Sequence, residues 1–196
     1  RTIGEDKAPL IIVEIGINHN GNLDSAISIV DSAIKAGAEI IKHQTHIVDD
    51  EMADTAKKVI PGNSNKSIYQ IVTEMALSEK DEKKLMNYVV SKKKIFFSSP
   101  FSRKAVDRLE KFGVSLYKIG SGECNNYPFV EYICKKRKPI ILSTGMNNIK
   151  TIEPAVKIIR KYKLPYALLH CTNIYPTPHK LVRLNAMLEL KKKFKD

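Results

Sequence analysis

No apolar run in this sequence approaches the ~18–20 residues of a membrane span, so no membrane partner is expected. The first residues, Arg1-Thr2-Ile3-Gly4-Glu5-Asp6, lack the apolar h-region of a secretory signal. They also lack a methionine, and the chain is therefore expected not to begin at the gene's own start. Cysteine is scarce: Cys124, Cys134 and Cys171 make an odd count with no C-x-x-C pair. That leaves no disulfide framework and points to a reducing, cytoplasmic compartment. Glycine is missing where nucleotide sites need it. Gly16-Ile17-Asn18-His19-Asn20-Gly21 is not a G-x-G-x-x-G turn, and no G-x-x-x-x-G-K-[ST] occurs. Aromatic residues do not interleave with the lysine runs, which argues against a base-stacking nucleic-acid surface.

What is present is an ordinary globular composition with a basic surplus. The chain has 196 residues, 43% hydrophobic and 28% charged, with a net charge of +12, and is long enough for a sizeable core. The surplus is nearly all lysine. Its densest runs, Lys92-Lys93-Lys94, Lys135-Lys136-Arg137-Lys138 and Lys191-Lys192-Lys193, fall at expected helix ends, where cations complement the helix dipole.

Six short β-like runs recur: Leu10–Ile15, Ala38–Lys42, Lys94–Ser98, Ser115–Ile119, Pro139–Ser143 and Tyr166–His170. Each is mostly apolar rather than alternating, as expected for parallel strands covered on both faces. Helical stretches lie between them. Leu23–Ala36 carries apolar residues at helical spacing and stops at Gly37; Ser78 opens another with an acidic residue three later. Ser102–Phe112, Ile149–Tyr162 and Lys180–Phe194 complete the set. This alternation predicts an α/β fold of βαβ units with right-handed crossovers. One interval breaks the rhythm: Gln44–Lys66 reads as a long excursion, the kind of loop that is usually functional or mobile. An open doubly wound sheet and a (β/α)8 TIM barrel both accept six such units. A barrel runs to ~250 residues, so a chain of this length would lack two.

Almost every run ends in polar or ionisable residues. Glu14 closes the first, Lys42-His43-Gln44 the second, Ser98-Ser99 the third; Lys118 and Gly120-Ser121-Gly122-Glu123 follow in the fourth, Ser143-Thr144-Gly145 in the fifth, and His170-Cys171-Thr172-Asn173 in the sixth. In barrels this edge carries the active site. Lys42 and Lys118, with the hydroxyls of Ser99, Ser121 and Ser143, make a donor set suited to phosphate or carboxylate. The alternative for each lysine is an ion pair with Glu14 or Glu123, and for each serine a turn or cap. Glu14 and Glu123 suit acid–base work or those same ion pairs. His43 and His46 are three apart but need not share a face, so they make a poor metal site alone. Cys171 has no evident base partner and reads as a buried structural thiol.

At these residues the chain resembles the bacterial sialic acid synthases, meaning the N-acetylneuraminate synthases and their legionaminate and pseudaminate relatives. The resemblance rests on Glu14-Ile15-Gly16-Ile17-Asn18-His19-Asn20-Gly21, Lys42-His43-Gln44-Thr45-His46, Tyr117-Lys118-Ile119-Gly120-Ser121-Gly122-Glu123, Ser143-Thr144-Gly145-Met146 and His170-Cys171-Thr172-Asn173-Ile174-Tyr175-Pro176-Thr177-Pro178. It implies a (β/α)8 barrel that condenses phosphoenolpyruvate with an N-acetylmannosamine-type sugar, giving a nine-carbon keto acid and phosphate. It implies that Lys42, Ser99, Lys118, Ser121, Ser143 and Asn173 hold phosphoenolpyruvate, that Gln44, Asn63 and Tyr175 contact the sugar, and that Glu14 and Glu123 serve proton transfer. Ser99 stands where the family commonly has threonine, which keeps the hydroxyl. The resemblance further implies a divalent ion, Mn²⁺ or Mg²⁺, whose two histidine ligands are expected beyond Asp196. A C-terminal antifreeze-like domain and a domain-swapped homodimer are expected with it. Residues 1–196 are thus expected to be an incomplete TIM-barrel domain of about six βα units. The Lys42–His46, Asp49-Asp50-Glu51-Met52 and Ile60-Pro61-Gly62-Asn63 stretches look more like synthases of free N-acetylmannosamine than like those of its 6-phosphate. Legionaminate- and pseudaminate-type sugars, a Schiff-base barrel aldolase using Lys118 or Lys42, and a non-catalytic anion-binding module remain as alternatives.

Overall fold

The computed structural model describes residue 4, residues 6–62 and residues 64–195. These form two compact units that divide between Ser98 and Ser99.

The first unit begins with strand β1 (Ile12–Gly16), helix α1 (Leu23–Lys35) and strand β2 (Ile40–Thr45). β1 and β2 pair in parallel, with Ile12 opposite Ile40 and Glu14 opposite Lys42, and the register slips between Glu14 and Gly16. Asn22 caps α1 through Ser25 N–H, as a short polar side chain does at a helix start. Gly21, just before it, has φ +70°, and a Cβ there would lie 2.3 Å from the Glu74 carbonyl oxygen; only glycine meets both conditions. After β2 come the single-turn helix α2 (Val48–Glu51) and a 3₁₀ turn at Asp54–Lys58, so the interval read as a loop is partly helical. Helix α3 (Ile68–Met75) follows, opened by a Ser67–Gln70 capping box. Helix α4 (Glu79–Ser91) starts at Ser78, whose hydroxyl accepts from Asp81 N–H, as its spacing predicts. Strand β3 (Ile95–Pro100) completes a sheet of order β1-β2-β3. Ile15, Val30, Ile41, Leu85, Val89 and Phe96 form the core between this sheet and helices α1 and α4.

The second unit runs α5 (Arg103–Phe112), β4 (Tyr117–Ile119), a 3₁₀ turn at Ser121–Glu123, α6 (Tyr127–Cys134), β5 (Ile140–Ser143), α7 (Ile149–Lys161), β6 (Tyr166–Leu169), a 3₁₀ turn at His179–Leu181 and α8 (Ala186–Lys193). β4, β5 and β6 pair in parallel in that order. Every residue of β5, the central strand, is buried, whereas β6, last in the order, is only partly covered. Both-face burial therefore holds for β5 and not for β6.

All six expected strands and their helical crossovers are present, which establishes an α/β fold with parallel pairing. The six strands lie in two three-stranded sheets. Most strand ends differ from expectation by one or two residues, and larger differences occur at β2, α8 and two further helices. β2 runs on to Thr45, so His43 and Gln44 lie in the strand rather than beyond it. The expected helix Lys180–Phe194 is shorter, because Arg183 sits at φ +51° and breaks it. Helices α3 and α6 were not anticipated; both are two turns long, near the limit at which periodicity is legible.

Candidate active site

Side chains alternate along a strand, so Lys42 and Gln44 share one face of β2 while His43 and Thr45 share the other. The β1–β2 register sets Glu14 beside Lys42, and the two form an ion pair. Gln44 Nε2 donates to Glu14 Oε1 at 3.4 Å. Three residues expected at the site are thus brought together in the first unit, and the ion-pair alternative for Lys42 is what the free structure contains. Beyond Gln44 the group continues. His46 Nε2 lies 3.2 Å from Gln44 Oε1, and His46 Nδ1 lies 2.9 and 3.1 Å from the two oxygens of Glu51 on α2.

The opposite face of β2 carries a second polar network, fully buried. The Gly21 N–H donates to His19 Nδ1 at 3.2 Å, so the His19 proton sits on Nε2. That proton points at His43 Nε2, 3.3 Å away. His43 must then carry its own proton on Nδ1, which faces Glu82 Oε1 at 3.3 Å and Ser98 Oγ at 3.4 Å. Thr45 donates to the same Glu82 oxygen and lies 2.8 Å from Ser98 Oγ. Burial, and then the neighbouring His43 ring, lower the His19 pKa to about 4. The network ties the Asn18–Gly21 turn, β2, β3 and α4 together behind the face that bears Glu14, Lys42 and Gln44. Sequence reading missed Glu82. The signal was there: Glu82, Leu85 and Val89 occupy one stripe of α4, and an acidic residue in an apolar stripe needs partners.

In the second unit Lys118, 5% exposed, donates to the Ile119 carbonyl at 2.8 Å and to Ser143 Oγ. Ser121 Oγ accepts the Gly145 N–H at 3.0 Å. The Asn173 carboxamide lies against Gly145, where a Cβ would come within 1.8 Å of its oxygen and 2.9 Å of Ser121 Oγ. Asn147 Nδ2 donates to the Ser121 and Gly145 carbonyls at 3.0 and 2.7 Å, which fixes the loop. Lys118, Ser121, Ser143 and Asn173 therefore gather at the C-terminal ends of β4, β5 and β6. Of the four, Asn173 lines a cavity of about 450 Å³, together with Thr144, Asn147, His170 and Arg183 among others. An ammonium, two hydroxyls and a carboxamide are the donor set that binds a compact anion.

Ser99 is buried near the end of β3. Glu123 accepts from Asn126 Nδ2 at 2.7 Å, beside the start of α6. Tyr175 is 89% exposed in the segment after β6. Asn63 lies outside the described residues. Cys171 is half-buried rather than buried, and its thiol lies 3.4 Å from Ser143 Oγ. Cys124 and Cys134 are free and buried, and burial pushes their thiols up to about 11 and about 12, which removes them as nucleophiles at neutral pH. His170 Nε2 faces the Val182 carbonyl at 2.7 Å, as a satisfied structural histidine does. Among the described residues no group of three or more His, Cys, Asp or Glu side chains is arranged to hold a metal ion, so the residues present do not make up a divalent-ion site. No helix among them is long and apolar enough to cross a membrane.

A model of the NeuB family matches residues 29–196. An N,N'-diacetyllegionaminic acid synthase of Campylobacter jejuni is 38% identical over 196 residues, covering 96% of this chain and 59% of that protein. The human N-acetylneuraminate-9-phosphate synthase is 30% identical, covering all of this chain and 55% of that protein. The chain thus spans a little over half the length of these relatives. Among solved structures, the N-acetylneuraminic acid synthetase of Leptospira borgpetersenii, crystallised with citrate, superposes on the whole chain with a TM-score of 0.86 at 30% identity, covering 67% of that protein.

Proposed function

The chain belongs to the NeuB family, and from that premise we propose that it carries the phosphoenolpyruvate- and sugar-handling residues of a synthase that makes nine-carbon keto acids. The carrying observation is the pair of contacts at neighbouring strand ends: Ser121 and Asn173 against Gly145, and Lys118 bonded to Ser143 two residues before it. In this reading phosphoenolpyruvate is held by those four residues together with Lys42 and Ser99. The sugar is met by Gln44, Asn63 and Tyr175. The enol carbon attacks the sugar aldehyde, water adds at the carbon that turns cationic, and phosphate leaves with C–O cleavage.

Donors fixed before the reaction stabilise the charge that shifts within phosphoenolpyruvate without reorganising in the transition state. Lys118 is such a donor: it is buried and already held by a carbonyl and a hydroxyl. Of the two carboxylates, Glu14 touches both Lys42, assigned to phosphoenolpyruvate, and Gln44, assigned to the sugar. That position suits the group that activates water and moves protons between the two substrates. Glu123, bonded to Asn126, suits the orientation of a hydroxyl. The divalent ion expected from the resemblance has no ligand set among the described residues. Its histidines, two further βα units closing a (β/α)8 barrel, an antifreeze-like domain and a domain-swapped homodimer belong to the same proposal for the full-length protein.

N-acetylmannosamine is the first substrate to test, because the Lys42–His46 and Asp49–Met52 stretches look like synthases of the free sugar. The likeness to the Campylobacter legionaminic acid synthase supports a second reading, a diacetamido sugar of the legionaminate type. Phosphate release by the full-length protein from phosphoenolpyruvate, across a panel of such sugars with Mn²⁺ added, is the test. Release with one free sugar is the expected result. No release with any of them defeats the synthase reading.

A further inference from the structure

The polar chain on the site-bearing face of β2 does not stop at the residues assigned to substrate. It runs from Glu14 through Gln44 and His46 to Glu51, with separations of 3.4, 3.2 and 2.9 Å. Its outer members are the more deeply sheltered: the His46 and Glu51 side chains are 7% and 6% exposed, against 39% for Glu14. Glu51 holds the ring with both carboxylate oxygens, and α2, which carries it, is itself fixed by buried Val48 and by a hydrogen bond from Tyr69 to Asp49.

A carboxamide is nearly symmetric in shape, so its orientation is decided by its neighbours. On one side of Gln44 stands the Glu14 carboxylate, which only accepts and must meet the NH₂ group. The oxygen is thereby turned to His46 Nε2. Every acceptor along the chain is satisfied when both ring nitrogens of His46 carry hydrogen, one directed to Glu51 and one to Gln44. The ring joins a rigid carboxylate to the oxygen end of the carboxamide, whose NH₂ end is held only by the single 3.4 Å contact to the more exposed Glu14.

We propose that Glu51 and His46 are positioning residues that lock the Gln44 carboxamide with its NH₂ toward Glu14, and so set how the acceptor sugar is met. The consequence for the sugar rests on the synthase reading above; the lock itself does not. A merely structural tie between β2 and α2 would affect both substrates alike.

The test uses the full-length protein, with His46→Leu to remove the ring's hydrogen bonds and His46→Gln to restore a donor near the Nε2 position. In the phosphate-release assay, His46→Leu should raise the KM for N-acetylmannosamine roughly two- to tenfold, the worth of one hydrogen bond, and leave the KM for phosphoenolpyruvate within about twofold. His46→Gln should recover most of the loss. Equal rises for both substrates, a fall in kcat alone, or no change overturns the proposal. If His46→Leu does not fold, Glu51→Gln carries the same comparison with a smaller expected rise. A second readout needs no turnover: the Gln44 side-chain NH₂ resonances, identified by their loss in Gln44→Glu, should be dispersed in the wild type and in His46→Gln. In His46→Leu or Glu51→Gln they should move toward the position of a free amide. If the wild type releases no phosphate, the synthase reading falls and these resonances still decide the lock; a free-amide position in the wild type overturns it.

Discussion

Gly145→Ala is the substitution that separates site from fold most cleanly. The added methyl would lie 1.8 Å from Asn173 Oδ1, 2.9 Å from Ser121 Oγ and 3.0 Å from Asn173 Cγ. All three are side-chain atoms, so the backbone need not move; the Asn173 carboxamide must swing away and Ser121 must shift. The loss to the fold is about one hydrogen bond, the Gly145 N–H to Ser121 Oγ, worth roughly 0.5–1.5 kcal/mol. The loss to the site is larger. If Asn173 and Ser121 hold an anionic substrate, displacing one such charge-assisted bond costs about 1.5–3 kcal/mol, or roughly 10- to 150-fold in the KM for phosphoenolpyruvate. Thermal melting and phosphate-release kinetics of the full-length variant measure the two separately. The expected pattern is a small drop in Tm with a large rise in that KM. A variant that melts slightly lower but binds phosphoenolpyruvate as the wild type does would show that Asn173 and Ser121 are not in the cradle.

Three further outcomes follow from the buried groups. His19 binds its proton only near pH 4 in the fold but near pH 6.5 when unfolded, so unfolding takes up a proton between those values. Stability should therefore be undiminished above about pH 6.5, fall by on the order of 3 kcal/mol as pH drops to about 4, and stop falling on this account below it; Tm measured against pH should show the slope, and His19→Gln should remove it. Glu82→Ala would leave the Thr45 hydroxyl and the His43 Nδ1 proton with Ser98 Oγ as their shared partner, and should destabilise the fold by about 1–3 kcal/mol in denaturant titration. An effect below ~1 kcal/mol would mean the network contributes little. Cys171, half-buried, should react with a thiol reagent in the native protein at pH 8, while Cys124 and Cys134 should react only after unfolding; peptide mapping distinguishes them.

The strands were legible because parallel strands covered on both faces are apolar without alternation, and β5 shows why: all four of its residues are buried. The helix starts at Ser78 and Ser102 were legible because capping is a local interaction within one turn. Polarity misled at the end of β2. Lys42, His43, Gln44 and Thr45 look like a strand's end, yet the strand continues because its polar residues have partners on both faces: Glu14 on one, Glu82 and Ser98 on the other. The donor set of Lys118, Ser121, Ser143 and Asn173 was legible as strand-end chemistry, but the part played by Gly145 was not, since the carboxamide it admits comes from beyond the next strand.

Residue pattern by itself determined the α/β class, the six strands with helices between them, the basic helix ends and the polar residues at strand ends, because each depends on periodicity or on neighbours within a few positions. Only the tertiary structure decided which polar residues join the buried network and which lie on the opposite face of β2. His43 and Gln44 are adjacent in sequence, but one lies in a buried histidine–carboxylate network and the other beside Glu14. The partners that make that choice, Glu82 and Ser98 for His43, are 39 and 55 residues away in the chain, and no local pattern records them. A buried polar group is stable only where such distant partners meet it, so the division between core and site is settled by packing.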